Sequence, residues 1–550
     1  MNQKKQKIKR YKEIRGAGGL LILNRFICIL MFGIVISIFS QKGYTQSVEI
    51  FIDPSLEYQE IEGFGASDAW RTQFVGKNWP EEKKNRIAEL LFSQEEDGQG
   101  NPKGIGLSLW RFYISAGTTE QAEASGIPNE WRRGESFIDE NGNYNWDKQE
   151  GQQWFLKKAK DAGVEKFLAF SNAAPVFWSK NNKGWNSLPN KSLNLKRKYY
   201  DDYADFMVQF LVHFQEEGLG FDYLSPINEP QWDWEKASQE GTPANNENIA
   251  DLVYLLNVKI SQKELDTKIL IPEAADLRFL YSDSGKPIRG NQIENFFGTS
   301  EYASTNIKGL KNLKNTVSGH SYFTSWPVDS LISIRQQLHN KLTENDLDYW
   351  QSEFCILERN DDIGGGGSRD LGINTALYVA RVIHADLTLA HAKSWQWWTA
   401  ISNADFKDGL IYLDTGVEGD LYNLDSLKYD GEFHDSKLLW AIGNYSRFIR
   451  PGMLRISTKL DNGLSTREQY DDLLVSAYKD PKNSNLVLVA INYSDKIKAI
   501  TFNEDQVLFL NSYETSKDKN LQLKQFTGNH LNVNPKSIVT LTGKLIIPSK

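Results

Sequence analysis

Cysteine is nearly absent from this 550-residue chain, which contains only Cys28 and Cys355. Cys28 lies in a segment that we expect to be removed, so no intramolecular disulfide is expected in the remainder. The seven histidines show no paired-ligand spacing, and His384 and His391, in HADLTLAH, fit a helix face better than a metal site. We therefore expect no metal ion and no cofactor.

The chain also lacks an apolar run of the roughly 20 residues that a membrane-spanning helix requires. The run from Phe26 to Phe39 is shorter; many Lys and Arg precede it, and polar SQKGYTQ follows it. This order is typical of a secretory signal, which we predict over residues 1–45, with Gly43 and Thr45 small enough for cleavage. An uncleaved anchor is the alternative. The mature chain should be exported to the periplasm, cell surface or medium, without stable membrane association, and should be a monomer.

Positive charge is scarce once the signal is gone. The whole chain has 63 basic and 71 acidic residues. Residues 1–46 contain nine of the basic residues and one of the acidic ones, so the remainder has a net charge of −16. Such a surface is poorly suited to nucleic acid or anionic lipid, and it makes a polyanionic substrate less natural.

Repeats and linkers rich in Pro or Ser are missing too, and the mature chain divides into three pieces. Residues 46–60 begin with an alternating strand pattern, SVEIFID. From 61 to 445 short apolar runs alternate with helical patterns such as 203–217 and 249–265, and from 446 to 550 only strand-like segments remain, which favours a β-sandwich. The glycines of GGGG (364–367) lack the spacing of a phosphate loop and predict a mobile loop.

The middle piece contains eight apolar runs, which are the expected strands of a (β/α)8 barrel. They are IEGFGAS (61–67), GIGLSLWRFYIS (104–115), EKFLAFSNAAP (165–175), FDYLSPINEP (221–230), KILIPEAAD (268–276), TVSGHSYF (316–323), LDYWQSEFC (347–355) and KSWQWWT (393–399).

Two glutamates stand at the ends of such runs. Glu229 ends the fourth run, where Pro230 stops the strand, and Glu353 ends the seventh. Since barrel strands direct their carboxyl ends to one mouth, both side chains should face a common opening. Two carboxyl groups on either side of a bond, one protonated and one charged, can hydrolyse a glycosidic linkage; we expect the separation of about 5 to 5.5 Å of a retaining mechanism. A solvated Glu at a strand-end turn is the alternative.

The sixteen tryptophans add candidates for sugar binding. Those that follow strands at the mouth can stack on sugar rings, although each could instead belong to the core. The candidates for substrate binding beside the two glutamates are Asp68, Trp70, Asn172, Trp178, Trp232, Trp234 and Trp398. The segment from Thr118 to Gln149 is expected to wall one side of the cleft.

Six segments in this order carry a resemblance to a known family: IEGFGASDAW, LSLWRFYISAG, SPINEP, GHSYF, WQSEF and NYSRFIRPG. Together they resemble glycoside hydrolase family 30, particularly its branch similar to endo-β-1,6-galactanases. The resemblance implies that Glu229 is the acid/base, Glu353 the nucleophile and Asn228 a donor to the sugar 2-hydroxyl. It also implies a side β-domain built jointly by the N-terminal strand and the C-terminal segment.

Three further polar residues near the strand ends could assist. Tyr322 can donate a phenolic hydrogen bond to Glu353, His320 can help, and Arg111 can bind a carboxylate or a sugar hydroxyl; structural roles are equally open for all three. The expected substrate is an oligo- or polysaccharide, with β-glucosidase, xylanase or β-xylosidase specificity as alternatives to galactanase. A glycan-binding protein without catalysis is the alternative of another class.

Overall fold

The computed structural model describes residues 47–189, 191–298, 304–502, 507–526 and 528–546. The predicted signal peptide and its cleavage site lie outside these residues. Within them, no helix combines the length and the hydropathy that crossing a bilayer requires.

Eight parallel strands close into the barrel that the alternating pattern predicts. The chain enters through β1 (Val48–Glu60), and the barrel strands follow as β2 (Gly63–Ser67), β3 (Leu109–Ile114), β4 (Lys166–Ser171), β5 (Tyr223–Ser225), β6 (Lys268–Ala274), β7 (Leu313–His320), β8 (Asp348–Glu353) and β9 (Ser394–Trp397). Each strand pairs with the next, and β9 pairs with β2. The eight strands correspond in order to the eight apolar runs.

The fourth barrel strand is shorter than the sequence pattern predicts. We expected a strand as far as Glu229, whereas β5 ends at Ser225. Pro226 has no N–H to give to the ladder, so pairing stops there rather than at Pro230. Glu229 therefore lies in the loop, with a left-handed φ of 46°.

The long helices alternate with the barrel strands along the chain, and shorter ones lie in the loops and in the side domain. In chain order they are α1 (Thr72–Asn78), α2 (Glu81–Phe92), α3 (Thr118–Gln121), α4 (Glu150–Asp161), α5 (Tyr200–Glu216), α6 (Asn246–Gln262), α7 (Arg278–Tyr281), α8 (Gln292–Phe297), α9 (Val328–Asn345), α10 (Ile373–Thr388), α11 (Leu424–Leu427), α12 (Lys437–Ser446) and α13 (Thr466–Gln469). The predicted amphipathic stretches 203–217 and 249–265 coincide with α5 and α6. Tyr203, Met207, Phe210 and Phe214 of α5 share one buried face, as their spacing of three and four residues requires.

The remaining strands lie in two further sheets. A small one joins β10 (Ile401–Ser402), β11 (Ile411–Asp414) and β12 (Glu432–Asp435). The larger one combines β1 with β13 (Leu454–Asp461), β14 (Leu473–Lys479), β15 (Asn485–Asn492), β16 (Lys498–Phe502), β17 (Val507–Ser516), β18 (Lys519–Gln525), β19 (His530–Val533) and β20 (Ser537–Leu545). Because β1 lies between β13 and β16, the expected side domain of N-terminal strand and C-terminal segment is confirmed.

The side domain encloses its core by curling a single sheet. Its strand order is β18-β17-β20-β15-β14-β13-β1-β16-β19. Although β16 and β17 lie near opposite ends of this order, the rings of Phe502 and Phe509 are 4.9 Å apart. Apolar side chains such as Ile50, Ile456 and Leu488 fill the space between the two halves. The predicted sandwich is thus one continuous sheet folded over its own core.

The glycine-rich segment 364–367 lies in the loop between β8 and α10, as predicted. The Lys407 ammonium donates to the carbonyls of Gly365 and Gly367 and holds this loop against the neighbouring one. The predicted boundary between residues 445 and 446 falls in the last turn of α12, and the division into domains at that point stays a prediction.

Candidate active site

Glu229 and Glu353 meet at the mouth of the barrel. Glu353 is the last residue of β8. Glu229 is held in its loop by two bonds of its backbone: its N–H donates to the Glu273 carbonyl at 3.0 Å, and its own carbonyl accepts from the Trp234 indole at 3.2 Å. A carboxylate oxygen of each glutamate and a ring nitrogen of His320 lie within 4.8 Å of one another. The two carboxyl groups therefore face each other at a distance that suits a retaining glycosidase.

His320, the last residue of β7, links three carboxyl groups. Its Nδ1 lies 3.0 Å from Glu229 and 3.6 Å from Glu353, and its Nε2 lies 3.1 Å from Glu273. Burial opposes the charge of the ring, but the Glu353 carboxylate and the bonds to Glu229 and Glu273 raise the pKa of His320 to about 9. The raised pKa favours the imidazolium, which can donate from both nitrogens to the carboxyl groups around it.

Both oxygens of Glu353 accept hydrogen bonds from fixed donors. The Arg111 guanidinium donates from Nη1 at 2.5 Å to one oxygen, and the Tyr322 hydroxyl donates at 3.0 Å to the other. Burial and neighbouring negative groups raise the pKa of Tyr322 well above its usual value, so the phenol keeps its proton. Glu353 thus has the partners of a charged carboxylate.

Glu229 has the opposite environment. Burial, followed by the charge of Glu353, raises the pKa of Glu229 above its usual value, while the bond from His320 acts against this shift. Surroundings that favour the neutral form of one carboxyl group, beside a second one held by a guanidinium and a phenol, are typical of an acid and nucleophile pair.

A third carboxylate, Glu273 in β6, lies beneath the other two and is fully buried. It accepts from the hydroxyls of Ser225 and Ser352 at 2.6 Å, and it lies 3.4 Å from Arg111. Burial opposes its charge, yet Arg111 and His320 lower the pKa of Glu273 to about 2. Glu273 is therefore the counterion that holds Arg111 and His320 in place beneath the pair.

Asn228 is oriented by the same arginine. Its Oδ1 accepts from Arg111 Nη2 at 2.9 Å. The amide Nδ2, a donor, is then the group that Asn228 offers to a ligand in the cavity.

The two glutamates open into a cavity of about 320 Å³. Three of the predicted tryptophans line it, together with residues from the loops that follow β3, β5, β7, β8 and β10. The full lining is Arg132, Asn228, Glu229, Trp232, Trp234, Gln239, Tyr322, Glu353, Cys355, Leu357, Trp398, Phe406 and Asp408. Arg132 belongs to the segment 118–149, which was expected to wall the cleft.

Trp178 is placed away from this cavity, contrary to our expectation. Its ring stacks at 5.9 Å on Tyr199 and packs against Phe177 and Phe206 in the barrel core. The apolar face of the neighbouring helix α5 covers it, so core packing accounts for this residue.

Three other candidates are buried and do not line the cavity. Trp70 is buried and meets Trp398 edge to face at 5.3 Å, so it supports a lining ring. Asp68 is also buried, and its carboxylate accepts from the Tyr113 N–H at 2.9 Å and from Gln152 at 3.0 Å. Asn172 is buried at the end of β4 and is not part of the lining.

Sequence reasoning missed Glu273 and Arg132. A signal for Glu273 exists, since it is a lone acidic residue within the otherwise apolar strand KILIPEA. Arg132 comes from a short 3-10 turn (Glu130–Arg132) in a long loop, where the sequence gives no register relative to the barrel.

Comparison with protein families and with known proteins gives one consistent picture. A model described as O-glycosyl hydrolase family 30 matches residues 47–412. A curated endo-β-1,6-galactanase from Hypocrea rufa is 24% identical over 497 residues, covering 86% of this chain and 87% of that protein.

Solved structures show the same fold. A conserved exported protein from Bacteroides fragilis is 39% identical with a TM-score of 0.84, covering 90% of this chain and all of that one. The catalytic domain of a family 30 xylanase C from Talaromyces cellulolyticus is 20% identical with a TM-score of 0.62, with coverage of 90% and 100%.

Proposed function

The chain belongs to O-glycosyl hydrolase family 30 and is a retaining glycoside hydrolase by that membership; we propose that Glu229 and Glu353 carry the reaction and that the substrate is a β-1,6-linked galactan. The assignment of the two roles rests on the difference between the surroundings of the two carboxyl groups. Glu353 is held by a guanidinium and a phenol, whereas burial and the charge of Glu353 raise the pKa of Glu229.

In the first step Glu353 attacks the anomeric carbon while Glu229 gives its proton to the leaving oxygen. The imidazolium of His320 cannot accept that proton, because both of its nitrogens already carry hydrogens. The proton of Glu229 is therefore kept for the leaving sugar. Asn228, aimed by Arg111, donates to the 2-hydroxyl of the sugar being cleaved.

In the second step Glu229 acts as a base and activates the water that releases the sugar. The switch follows from electrostatics. Once Glu353 is esterified it no longer carries a charge, so one cause of the raised pKa of Glu229 disappears, while the adjacent His320 cation favours the carboxylate. Glu229 is thus the acid of the first step, and its carboxylate is the base of the second.

The choice of sugar rests on the relative from Hypocrea rufa, whose name gives a β-1,6-galactan as its substrate. The second candidate is xylan, which the name of the structural neighbour from Talaromyces cellulolyticus suggests. The similar protein from Bacteroides fragilis is described as exported, which supports export of this chain as well.

A substrate panel tests the sugar. Arabinogalactan freed of arabinose, xylan and a β-1,6-glucan are incubated with the enzyme, and reducing ends and product sizes are recorded. Release from the galactan alone supports the proposal, and release from xylan alone would replace it with the second candidate. NMR of the earliest products should show the β-anomer first, and an α-anomer would contradict retention.

Glu353→Gln tests the nucleophile. We expect turnover to fall by roughly 10³-fold or more while oligosaccharide binding is retained. Glu358→Gln is the matched control, because Glu358 lies five residues on, is hydrogen-bonded to Ser325 and does not line the cavity. Undiminished turnover in Glu353→Gln would remove Glu353 from the mechanism, and a protein that binds galactan but hydrolyses none of the glycans would be a binding protein.

A further inference from the structure

Arg132 is a cation in the catalytic cavity with no carboxylate partner among the described residues. Its Nη1 lies 3.4 Å from the side-chain oxygen of Gln239, and its guanidinium lies 5.9 Å from the centre of the Trp70 ring. The two other arginines nearby are both in buried ion pairs: Arg71 lies 3.0 Å from Asp408, and Arg111 lies 2.5 Å from Glu353.

The other cationic groups around the cavity are all paired with carboxylates. The positive groups around the cavity, among the described residues, are Arg71, Arg111, Arg132 and His320, and the carboxylates beside them are Asp408, Glu353 and Glu273. Every group in this set except Arg132 has a partner of opposite charge.

The unpaired charge is also unfavourably placed. Burial and then the like charge of Arg71 lower the pKa of Arg132, with Asp408 acting in the opposite direction. Asp408 offsets this charge only from a distance, because its ion pair is with Arg71 and it also accepts from the Ser402 hydroxyl. A half-buried guanidinium without a carboxylate partner is stabilised when an anion enters beside it.

Gln239 completes a site for such an anion. Its Oε1 accepts from Arg132, so the two hydrogens on its Nε2 remain for a ligand oxygen. A planar guanidinium and an adjacent amide together match two oxygens of one anionic group.

We propose that Arg132 and Gln239 bind a negatively charged substituent, a uronate carboxylate or a sulfate, on a sugar of the glycan in the catalytic cavity. This proposal rests on the proposed function and narrows its substrate class to an acidic glycan with isolated charges. It is compatible with the negative surface, which disfavours a densely charged polymer but not a single anionic group held in a positive pocket.

The test compares matched substrates. Arabinogalactan oligosaccharides that carry uronic acid are measured before and after carboxyl reduction, which converts each uronate to the neutral sugar, and a sulfated galactan is measured before and after desulfation. We expect kcat/KM for the acidic form to exceed that for its neutral form by roughly 10- to 100-fold, as a charge-assisted hydrogen bond provides. Whichever pair shows the preference identifies the anion.

Arg132→Gln should bring that ratio close to one, mainly by lowering kcat/KM for the acidic form. Arg133→Gln is the matched control: it removes a charge from the next residue, whose guanidinium donates to the Ile127 carbonyl instead. It should keep the preference of the wild type. Added salt should reduce the preference of the wild type and leave the neutral rates largely unchanged.

Equal kcat/KM values for acidic and neutral forms would overturn the proposal and assign Arg132 to neutral hydroxyls. A preference that survives in Arg132→Gln would overturn the assignment to this residue. Both results presuppose hydrolysis, so they differ from a failure of the proposed function, in which neither form is cleaved. As a measurement independent of turnover, glucuronate should inhibit hydrolysis of an aryl β-galactoside more strongly than glucose does, and Arg132→Gln should remove this difference.

Discussion

The Nε2 atom of His320 lies 3.1 Å from Glu273, a carboxylate that never reaches the cavity. Glu273 keeps the ring charged from below, while Nδ1 of the same ring faces Glu229 at 3.0 Å above. A side chain without access to substrate can therefore influence where the proton of Glu229 goes. We therefore expect the charge of Glu273 to affect acid catalysis, which a purely structural ion pair would not do.

Glu273→Gln should impair acid catalysis more than nucleophilic attack. Without the negative charge, the pKa of His320 falls, and a neutral ring at neutral pH can accept the proton that Glu229 should give to the leaving sugar. We expect kcat/KM on an oligosaccharide to fall by roughly 10- to 100-fold, with the basic limb of the pH profile moved to lower pH.

The leaving group supplies the control for this variant. A 2,4-dinitrophenyl glycoside needs little protonation to depart, so its rate should fall much less than that of an oligosaccharide. If both substrates lose the same factor and the pH profile does not move, Glu273 only supports the structure. Glu358→Gln removes a carboxylate outside the cavity and is the control for a general effect of losing one negative charge.

The cluster should also give stability a dependence on pH. The pKa of His320 is raised from 6.5 to about 9, so its charge contributes stability that is complete below pH 6.5 and is lost as the pH rises through 9. The pKa of Glu273 is lowered from 4.5 to about 2, so its contribution is complete above pH 4.5 and is lost as the pH falls through 2. Each contribution is about 3 kcal/mol, and they are not additive because the two groups bind each other.

Denaturant unfolding at a series of pH values measures this dependence. The difference in unfolding free energy between the wild type and His320→Gln should shrink between pH 6.5 and 9.5. NMR titration of the His320 ring in the wild type is the second measurement, which remains valid if the variant does not fold. A ring that titrates near 6.5 would contradict the predicted charge.

Tyr322→Phe should weaken the nucleophile without removing it. The Tyr322 hydroxyl donates to Glu353 at 3.0 Å, and a hydrogen bond to a charged group contributes enough to change kcat by roughly tenfold or more. Tyr349→Phe is the matched control, since Tyr349 is equally buried in β8 and its hydroxyl points to the Gly319 carbonyl instead. Equal kcat in Tyr322→Phe and Tyr349→Phe would show that the bond to Glu353 has no part in the rate.

The fold could be predicted from the sequence because its evidence is periodic. Each barrel strand appears in the sequence as a short apolar run, and each long helix appears as apolar residues three and four positions apart. The order of the elements, and the fact that β5 and β8 end at the same mouth, therefore follow from local patterns. Glu353 lies at the strand end where the run predicted it. Glu229 does not, because Pro226 ends the strand earlier and the loop has to bring the side chain back to the mouth.

The remaining features depend on contacts between distant parts of the chain. Glu273 could not be assigned because its meaning comes from Arg111, Ser352 and His320, which belong to three other strands. Trp178 was expected at the cavity because it follows a strand. Its ring instead turns toward α5, and a strand-end position alone does not say which way a side chain points.

Trp232 and Trp178 allow a direct test of this distinction between lining and core. Trp232 lines the cavity and is half-buried, and its ring meets Phe323 edge to face at 5.9 Å, so Trp232→Ala should raise KM for oligosaccharides by roughly tenfold while the unfolding free energy changes little. Trp178 is packed in the barrel core, so Trp178→Ala should lower the unfolding free energy by about 3 to 5 kcal/mol and leave KM of the folded fraction near that of the wild type. Denaturant unfolding and initial rates over a range of substrate concentrations separate the two effects. Because the same substitution is made at both positions, the opposite pattern would mean that Trp178 binds sugar and that Trp232 serves only the fold.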